Sequence, residues 1–131
     1  MTDYSKAKDA RVEKPARPKI ITFPSEGHTP VVERVYPEFQ CLCPVSSRHD
    51  QGVVTLRYLP DKKILESKSV REYLSSWRNC HTWQEFATEE IGKVLYSVCK
   101  AKWLVLAIEW SSRGGIYART ESSFGDFGEM G

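Results

Sequence analysis

Apolar and polar positions change period along this chain, and those changes divide it into strands and helices. Val54, Leu56 and Tyr58 alternate with Thr55 and Arg57, the period of a half-buried antiparallel strand. The turn pair Pro60-Asp61 ends that strand and leads into Lys63-Ile64-Leu65. Upstream, residues 20–23 and 31–36 read as two more strands, and the short loop through Pro24, Gly27 and Pro30 predicts that they close as a hairpin. From Val70 the period becomes helical. Val70, Tyr73, Leu74 and Trp77 fall at i, i+3, i+4 and i+7, and Ser69 with Glu72 predicts a capping box at the start. Residues 79–81 break the pattern. Thr82 with Glu85 predicts a second capping box, and Ala87, Ile91, Val94, Leu95 and Val98 form the buried stripe of a second helix. Strand alternation returns at Leu104, Leu106, Ile108 and Trp110, and Arg113-Gly114-Gly115 turns the chain into a final strand over residues 116–119. The Gly-rich stretch from Phe124 to Gly128 is expected to fray, leaving two Phe side chains available to a neighbour.

Strands, two consecutive helices, then strands predict an α+β fold in which the helices cover one face of an antiparallel sheet. The other face is left for partner subunits. A length of 131 residues suits one domain, expected over residues 19–131. Residues 1–18 are expected to be a flexible basic tail, since six Lys or Arg stand against three acids in the first nineteen residues. The net charge of +2 does not argue for nucleic acid. The longest apolar run, residues 103–108, is too short to span a bilayer, and the amino terminus is charged rather than signal-like. A cytoplasmic protein is expected. Its four cysteines then read as reduced thiols. Cys41 and Cys43 lie two apart and His49 and His81 are within reach, but paired CxxC and HExxH spacings are absent, so no metal is expected.

Chemistry concentrates between Cys43 and Ser69. A thiol is a nucleophile only as thiolate, and the carboxyl of Asp50, seven residues after Cys43, is placed to handle the proton if the connecting turn folds back. Taken singly, a cysteine is more often a small buried hydrophobe and an aspartate a turn residue. Other residues join them. The run Pro37-Glu38-Phe39-Gln40-Cys41-Leu42-Cys43-Pro44, then Asp50, Tyr58-Leu59-Pro60-Asp61, Glu66-Ser67-Lys68-Ser69, Trp77-Arg78-Asn79, Glu85 and Arg113-Gly114-Gly115-Ile116 stand in one order. In that order and spacing, over roughly residues 19 to 120, the chain resembles the short, single-domain form of the QueF family.

The resemblance implies an NADPH-dependent reductase that converts 7-cyano-7-deazaguanine to 7-aminomethyl-7-deazaguanine in queuosine biosynthesis. It implies a tunnelling fold, in which sheets of several subunits close into a barrel with sites at subunit boundaries; the short members form two stacked pentameric rings. Under it Cys43 is the nucleophile that adds to the nitrile as a thioimide, and Asp50 is the acid that delivers protons to nitrogen. Cys41, expected on the opposite strand face, is structural. Glu85 grips the deazaguanine edge, with Gln84 beside it, and Glu66 and Ser67 belong to the substrate side. Lys68, Ser69 and Arg71 belong to NADPH, with a phosphate favoured at the positive start of the first helix.

Departures from the family pattern fall close to the chemistry. Arg71 replaces a Lys, Glu72 an apolar or aromatic residue, and Gln84 a His; His49 and Gln51 flank Asp50 where Pro and Phe are common. An amide hydrogen-bonds but does not shuttle protons at neutral pH. Two other functions therefore stand beside the reductase. One is a QueF-like amidinotransferase, which adds ammonia to a nitrile base already within nucleic acid. The other is a non-catalytic, ring-forming protein that binds a purine-like ligand.

Overall fold

The computed structural model describes residues 3–16 and 19–128. Six strands, β1 (Thr22–Pro24), β2 (Val32–Leu42), β3 (His49–Leu59), β4 (Lys63–Leu65), β5 (Trp103–Arg113) and β6 (Ile116–Gly125), surround two consecutive helices, α1 (Ser67–Ser75) and α2 (Gln84–Cys99). β2, β3, β5 and β6 form an antiparallel sheet in that order, and β1 pairs antiparallel with β4 in a separate ribbon. The molecule is α+β.

Alternation sorts the strand residues as the sequence requires. Val54, Leu56 and Tyr58 of β3 and Leu104, Leu106, Ile108 and Trp110 of β5 are buried in one core with Tyr73, Leu74 and Trp77 and with Ala87, Ile91 and Leu95 of α2. Each fully buried Leu or Ile there contributes about 1.5–3 kcal/mol from leaving water. On the opposite sheet face the row Val35, Thr55, Ala107 is bordered by Glu33, Arg57 and Glu109, so that face is mixed rather than uniformly apolar.

Several local expectations are corrected. The hairpin of residues 20–23 with 31–36 does not form: β1 pairs with β4, and β2 with β3. Eleven-residue β2 finds an equally long partner in β3, whereas β1 matches only the three residues after the Asp61 turn. β2 also continues past Tyr36, crossing Pro37 through a register shift between Tyr36 and Phe39 where the missing N–H of proline is tolerated. Neither capping box forms. Glu66 is the N-cap of α1, its carboxylate accepting from the N–H groups of Lys68 (2.6 Å) and Ser69 (2.8 Å). Trp83 precedes α2 without a side-chain cap, and the Thr82 hydroxyl donates to the Trp83 carbonyl instead. β6 runs to Gly125, and the two Phe side chains dock within the chain, Phe124 stacked on Tyr96 and Phe127 on Trp103.

The amino-terminal residues touch the domain at defined points. Glu13 accepts from the His81 N–H (2.8 Å), pairs with its Nδ1 (2.7 Å), and donates its own N–H to the His81 carbonyl. Lys14 pairs with Glu90, and Tyr4, in a 3-10 turn over Tyr4–Asp9, reaches Arg113.

Candidate active site

Cys43 follows the last residue of β2 and is buried. Its N–H donates to the Arg48 carbonyl and its carbonyl accepts from the Ser47 N–H, closing a turn in which Ser47 takes a positive φ of 59°. That turn aims donors at the sulfur. Burial alone raises the thiol, but the Ser46 hydroxyl, the backbone N–H groups of Ser46 and Val45 and the Arg113 guanidinium together hold it below its ordinary value.

Cys41 is different in kind. It is fully buried directly opposite Asp50 in the β2–β3 ladder, and it shares the strand face of Phe39. A period of two places residues 39, 41 and 43 on one side, so the expected opposite orientation of Cys41 is corrected. Its thiol is pushed up to about 12, first by burial and then by the neighbouring Asp50, Cys80 and Cys43. It is inert where Cys43 is activated.

Asp50 is the second residue of β3 and is buried. The β3–β5 register sets Gly52 opposite Trp110, so the chain two residues before Gly52 meets the end of β5. There Arg113 Nη1 donates to Asp50 Oδ1 at 2.8 Å and Nη2 donates to Ser46 Oγ at 2.8 Å. Gly114 and Gly115 turn the chain immediately afterwards with φ of 61° and 83°, a conformation that favours glycine at both positions.

The first turn of α2 completes the site. Cys43, Asp50, Trp83, Gln84, Glu85 and Arg113 line one open cavity of about 510 Å³, and Tyr4 closes part of its rim. Thr88 holds the turn from inside: its hydroxyl bonds the Gln84 carbonyl (2.8 Å) and Thr120 (2.6 Å), which accepts from Trp110 Nε1. The chamber therefore brings together a lowered thiol, a carboxyl, a second carboxyl at a helix start, an amide and a guanidinium.

Glu66, Ser67, Lys68 and Arg71 lie elsewhere. They line a second cavity of about 400 Å³ with Arg34 and Tyr36, floored by Val54, Leu56 and Val70. Arg34 Nε donates to Ser67 Oγ at 2.9 Å. The start of α1 is already occupied by the Glu66 carboxylate, so the cations there are side chains rather than free helix N–H groups. Ser69 is buried and lines neither cavity; its hydroxyl accepts from the Ile21 N–H and donates to the Glu66 carbonyl. Arg113 and Ser46 are the residues that sequence reasoning did not single out. The signal for Arg113 was present in Arg113-Gly114-Gly115-Ile116, read there as a turn and as one of the ordered motifs, with no role given to the arginine.

The model of a family described as QueF-like protein matches residues 49–126. A relative from Zymomonas mobilis, named NADPH-dependent 7-cyano-7-deazaguanine reductase, is 40% identical over 93 residues, 71% of this chain and 63% of that protein. The chain thus spans slightly under two thirds of that relative's length. A protein of the same name from Aquifex aeolicus is 35% identical over 99 residues, 72% of this chain and 77% of its own. A crystal structure of the archaeosine synthase QueF-Like in the apo form shares the fold, with a TM-score of 0.65 and 14% identity, over 85% of this chain and 98% of that one. Among the described residues, no helix is long and apolar enough to cross a membrane.

Proposed function

This chain belongs to the QueF family, and from that premise we propose that it is a nitrile reductase converting 7-cyano-7-deazaguanine to 7-aminomethyl-7-deazaguanine with NADPH. The observation that carries this reading is the shared cavity: Cys43, with its thiol held below the ordinary value, opens into the same space as Asp50 and Glu85. The names of the relatives from Zymomonas mobilis and Aquifex aeolicus support the substrate and the cofactor.

In this reading the sulfur of Cys43 attacks the electrophilic nitrile carbon. An S–C bond forms, one π bond of the nitrile breaks, and the hydrogen lost by the thiol ends on nitrogen, carried there by Asp50. The product is a thioimide. Two molecules of NADPH, bound in turn, would each supply one hydride and so take this carbon to the aminomethyl level. Asp50 delivers the matching protons to nitrogen, and Cys43 leaves as the free thiol before the second reduction. Glu85 binds the substrate, its carboxylate accepting from the adjacent ring N–H and amine of the deazaguanine. Gln84 adds a hydrogen bond without a titrating group.

Lys68 and Arg71, with Arg34, give the second cavity three cations above an apolar floor, a donor set that fits a phosphorylated dinucleotide. Those side chains are the cofactor residues of this reading, with Ser69 holding β1 to the helix start behind them. Glu66 and Ser67 lie at the same edge. Since this cavity is distinct from that of Cys43, the reaction joins two sites, and the assembly we infer is a homo-oligomer in which neighbouring subunits bring them together as a closed barrel. The outer edges of β2 and β6, unpaired by another strand among the described residues save where Leu42 of β2 bridges His81, and the exposed Ile116 and Tyr117 support such contacts. The catalytic domain spans residues 19–131, with residues 1–18 as a basic tail, and its free cysteines suit a cytoplasmic setting.

Incubation with 7-cyano-7-deazaguanine, with and without NADPH, tests the proposal. The expected result is a Cys43 adduct by intact mass without cofactor, and aminomethyl product with loss of NADPH absorbance when it is present. Ammonia-dependent amidine formation on a nitrile-bearing polynucleotide, with no NADPH oxidation, would replace it with the amidinotransferase.

A further inference from the structure

We propose that Arg113 is the positioning residue that readies Cys43 and Asp50 together, through the Ser46 hydroxyl. The inference rests on Cys43 being the nucleophile. Its basis is one guanidinium with two engaged nitrogens: Nη1 donates to Asp50 Oδ1 and Nη2 to Ser46 Oγ, both at 2.8 Å. Ser46 Oγ also accepts from the Arg48 N–H at 3.3 Å. With its acceptor capacity turned toward those two donors, the hydroxyl directs its own hydrogen at the Cys43 sulfur. The fork thus orients both reacting groups from a strand on which neither lies.

The same contact divides the carboxyl. Oδ1 is fixed by Arg113, and among the described residues Oδ2 has no hydrogen bond given to it, which leaves that oxygen to carry a proton between sulfur and nitrile nitrogen. Charges facing Cys43 come from each element around the cavity: Arg48 from the turn before β3, Asp50 from β3, Glu85 from α2 and Arg113 from β5, with the Tyr4 hydroxyl at the rim. Arg113 lines the cavity beside Cys43, and its guanidinium is among the groups that lower the thiol. Lysine does not reproduce this arrangement, because a point charge does not hold a carboxylate and a hydroxyl in one planar fork.

The test reads Cys43 alone, with no nitrile and no NADPH. Iodoacetamide alkylation is followed against pH by peptide mass in the wild type, Arg113→Ala, Arg113→Lys and Ser46→Ala. Each variant is expected to shift the alkylation midpoint of Cys43 upward, most in Arg113→Ala. A rise of one pH unit cuts the thiolate fraction, and with it the neutral-pH alkylation rate, about tenfold. Added guanidinium ion is expected to restore part of the rate in Arg113→Ala. Unchanged midpoints in folded Arg113→Ala, or in Ser46→Ala and Arg113→Lys should the alanine variant not fold, overturn the proposal. A shifted midpoint in a protein that reduces no nitrile would sink the proposed reaction while leaving this assignment standing.

Discussion

Cys41 and Asp50 face one another as direct partners in the β2–β3 ladder, yet it is Cys43, two residues on, that opens into the cavity Asp50 lines. Proximity to the carboxyl therefore does not choose the nucleophile. The donors around Cys43 do, while burial keeps the Cys41 thiol up at about 12. Cys43→Ala is expected to abolish the covalent adduct, and Cys41→Ala to retain it with reduced thermal stability. Intact-protein mass after incubation with the nitrile distinguishes them; an adduct lost in Cys41→Ala and kept in Cys43→Ala reverses the assignment.

Glu85 lies in the first turn of α2 and lines the cavity, and among the described residues no capping bond engages its carboxylate. Glu85→Gln keeps the shape and replaces one acceptor by a donor. Loss of a charge-assisted pair of hydrogen bonds is worth about 1.5–3 kcal/mol, so substrate affinity is expected to fall about tenfold or more. Titration calorimetry with the free nitrile base, in a Cys43→Ala background, measures it. An unchanged Kd removes Glu85 from recognition.

What the sequence made legible were the elements whose signal is local. The alternation through Tyr58 and through Trp110, and the apolar stripes from Val70 and from Ala87, each fix a buried face by period alone, and each is found in the structure. Pairing was not legible in the same way. β1 and β2 are neighbours in the chain, but β2 is claimed by the equal length of β3, a competition that no short window contains. The Glu66 cap was hidden by residue type, since Ser and Thr dominate expectations at N-caps while a glutamate carboxylate here spans two N–H groups. Of the site, Cys43, Asp50, Glu85 and Arg113 all stood in ordered motifs, but only the first three were given roles; Arg113, sixty-three residues from Asp50, meets it only because β3 and β5 pair.

The Glu66 cap also carries a pH dependence with a definite sign. Hydrogen bonds from the Lys68 and Ser69 N–H groups hold its carboxyl below the ordinary glutamate value. A depressed folded-state value adds stability that is complete above the unfolded-state value and is lost as pH falls through the folded-state one. Thermal melts of wild type and Glu66→Gln are expected to differ most near neutrality and to converge in acid. A pH-independent gap would show that the carboxylate charge is not what stabilises the helix start.

Gly92 is where α2 touches β6. A Cβ there would lie 2.5 Å from Ser122 Oγ and 2.6 Å from the Phe124 ring. Alanine is the better helix former by about 1 kcal/mol, but overpacking costs about 1–3 kcal/mol. Gly92→Ala is thus expected to be net destabilising, because Phe124 is pinned by its stack on Tyr96. A raised melting temperature would mean that the ring moves aside freely.

The cofactor assignment makes the most exposed claim, because Lys68 and Arg71 sit in a different cavity from Cys43. If their side chains hold phosphates, Lys68→Ala with Arg71→Ala removes two charge-assisted contacts. Even one is worth about 1.5–3 kcal/mol, so the KM for NADPH is expected to rise at least about tenfold. Thioimide formation needs neither cation and is expected to proceed at the wild-type rate in the absence of cofactor. Since the Glu66 carboxylate already takes the helix N–H groups, Glu66→Ala has the opposite tendency: it frees two donors and removes a negative charge beside the phosphates, so NADPH binding is expected to hold or tighten as the fold loses stability. Steady-state NADPH kinetics on the two variants, with adduct mass measured in parallel, separates these effects. An unchanged KM in the double variant would move the cofactor out of this cavity, and a loss of adduct would tie the cavity to the nitrile instead.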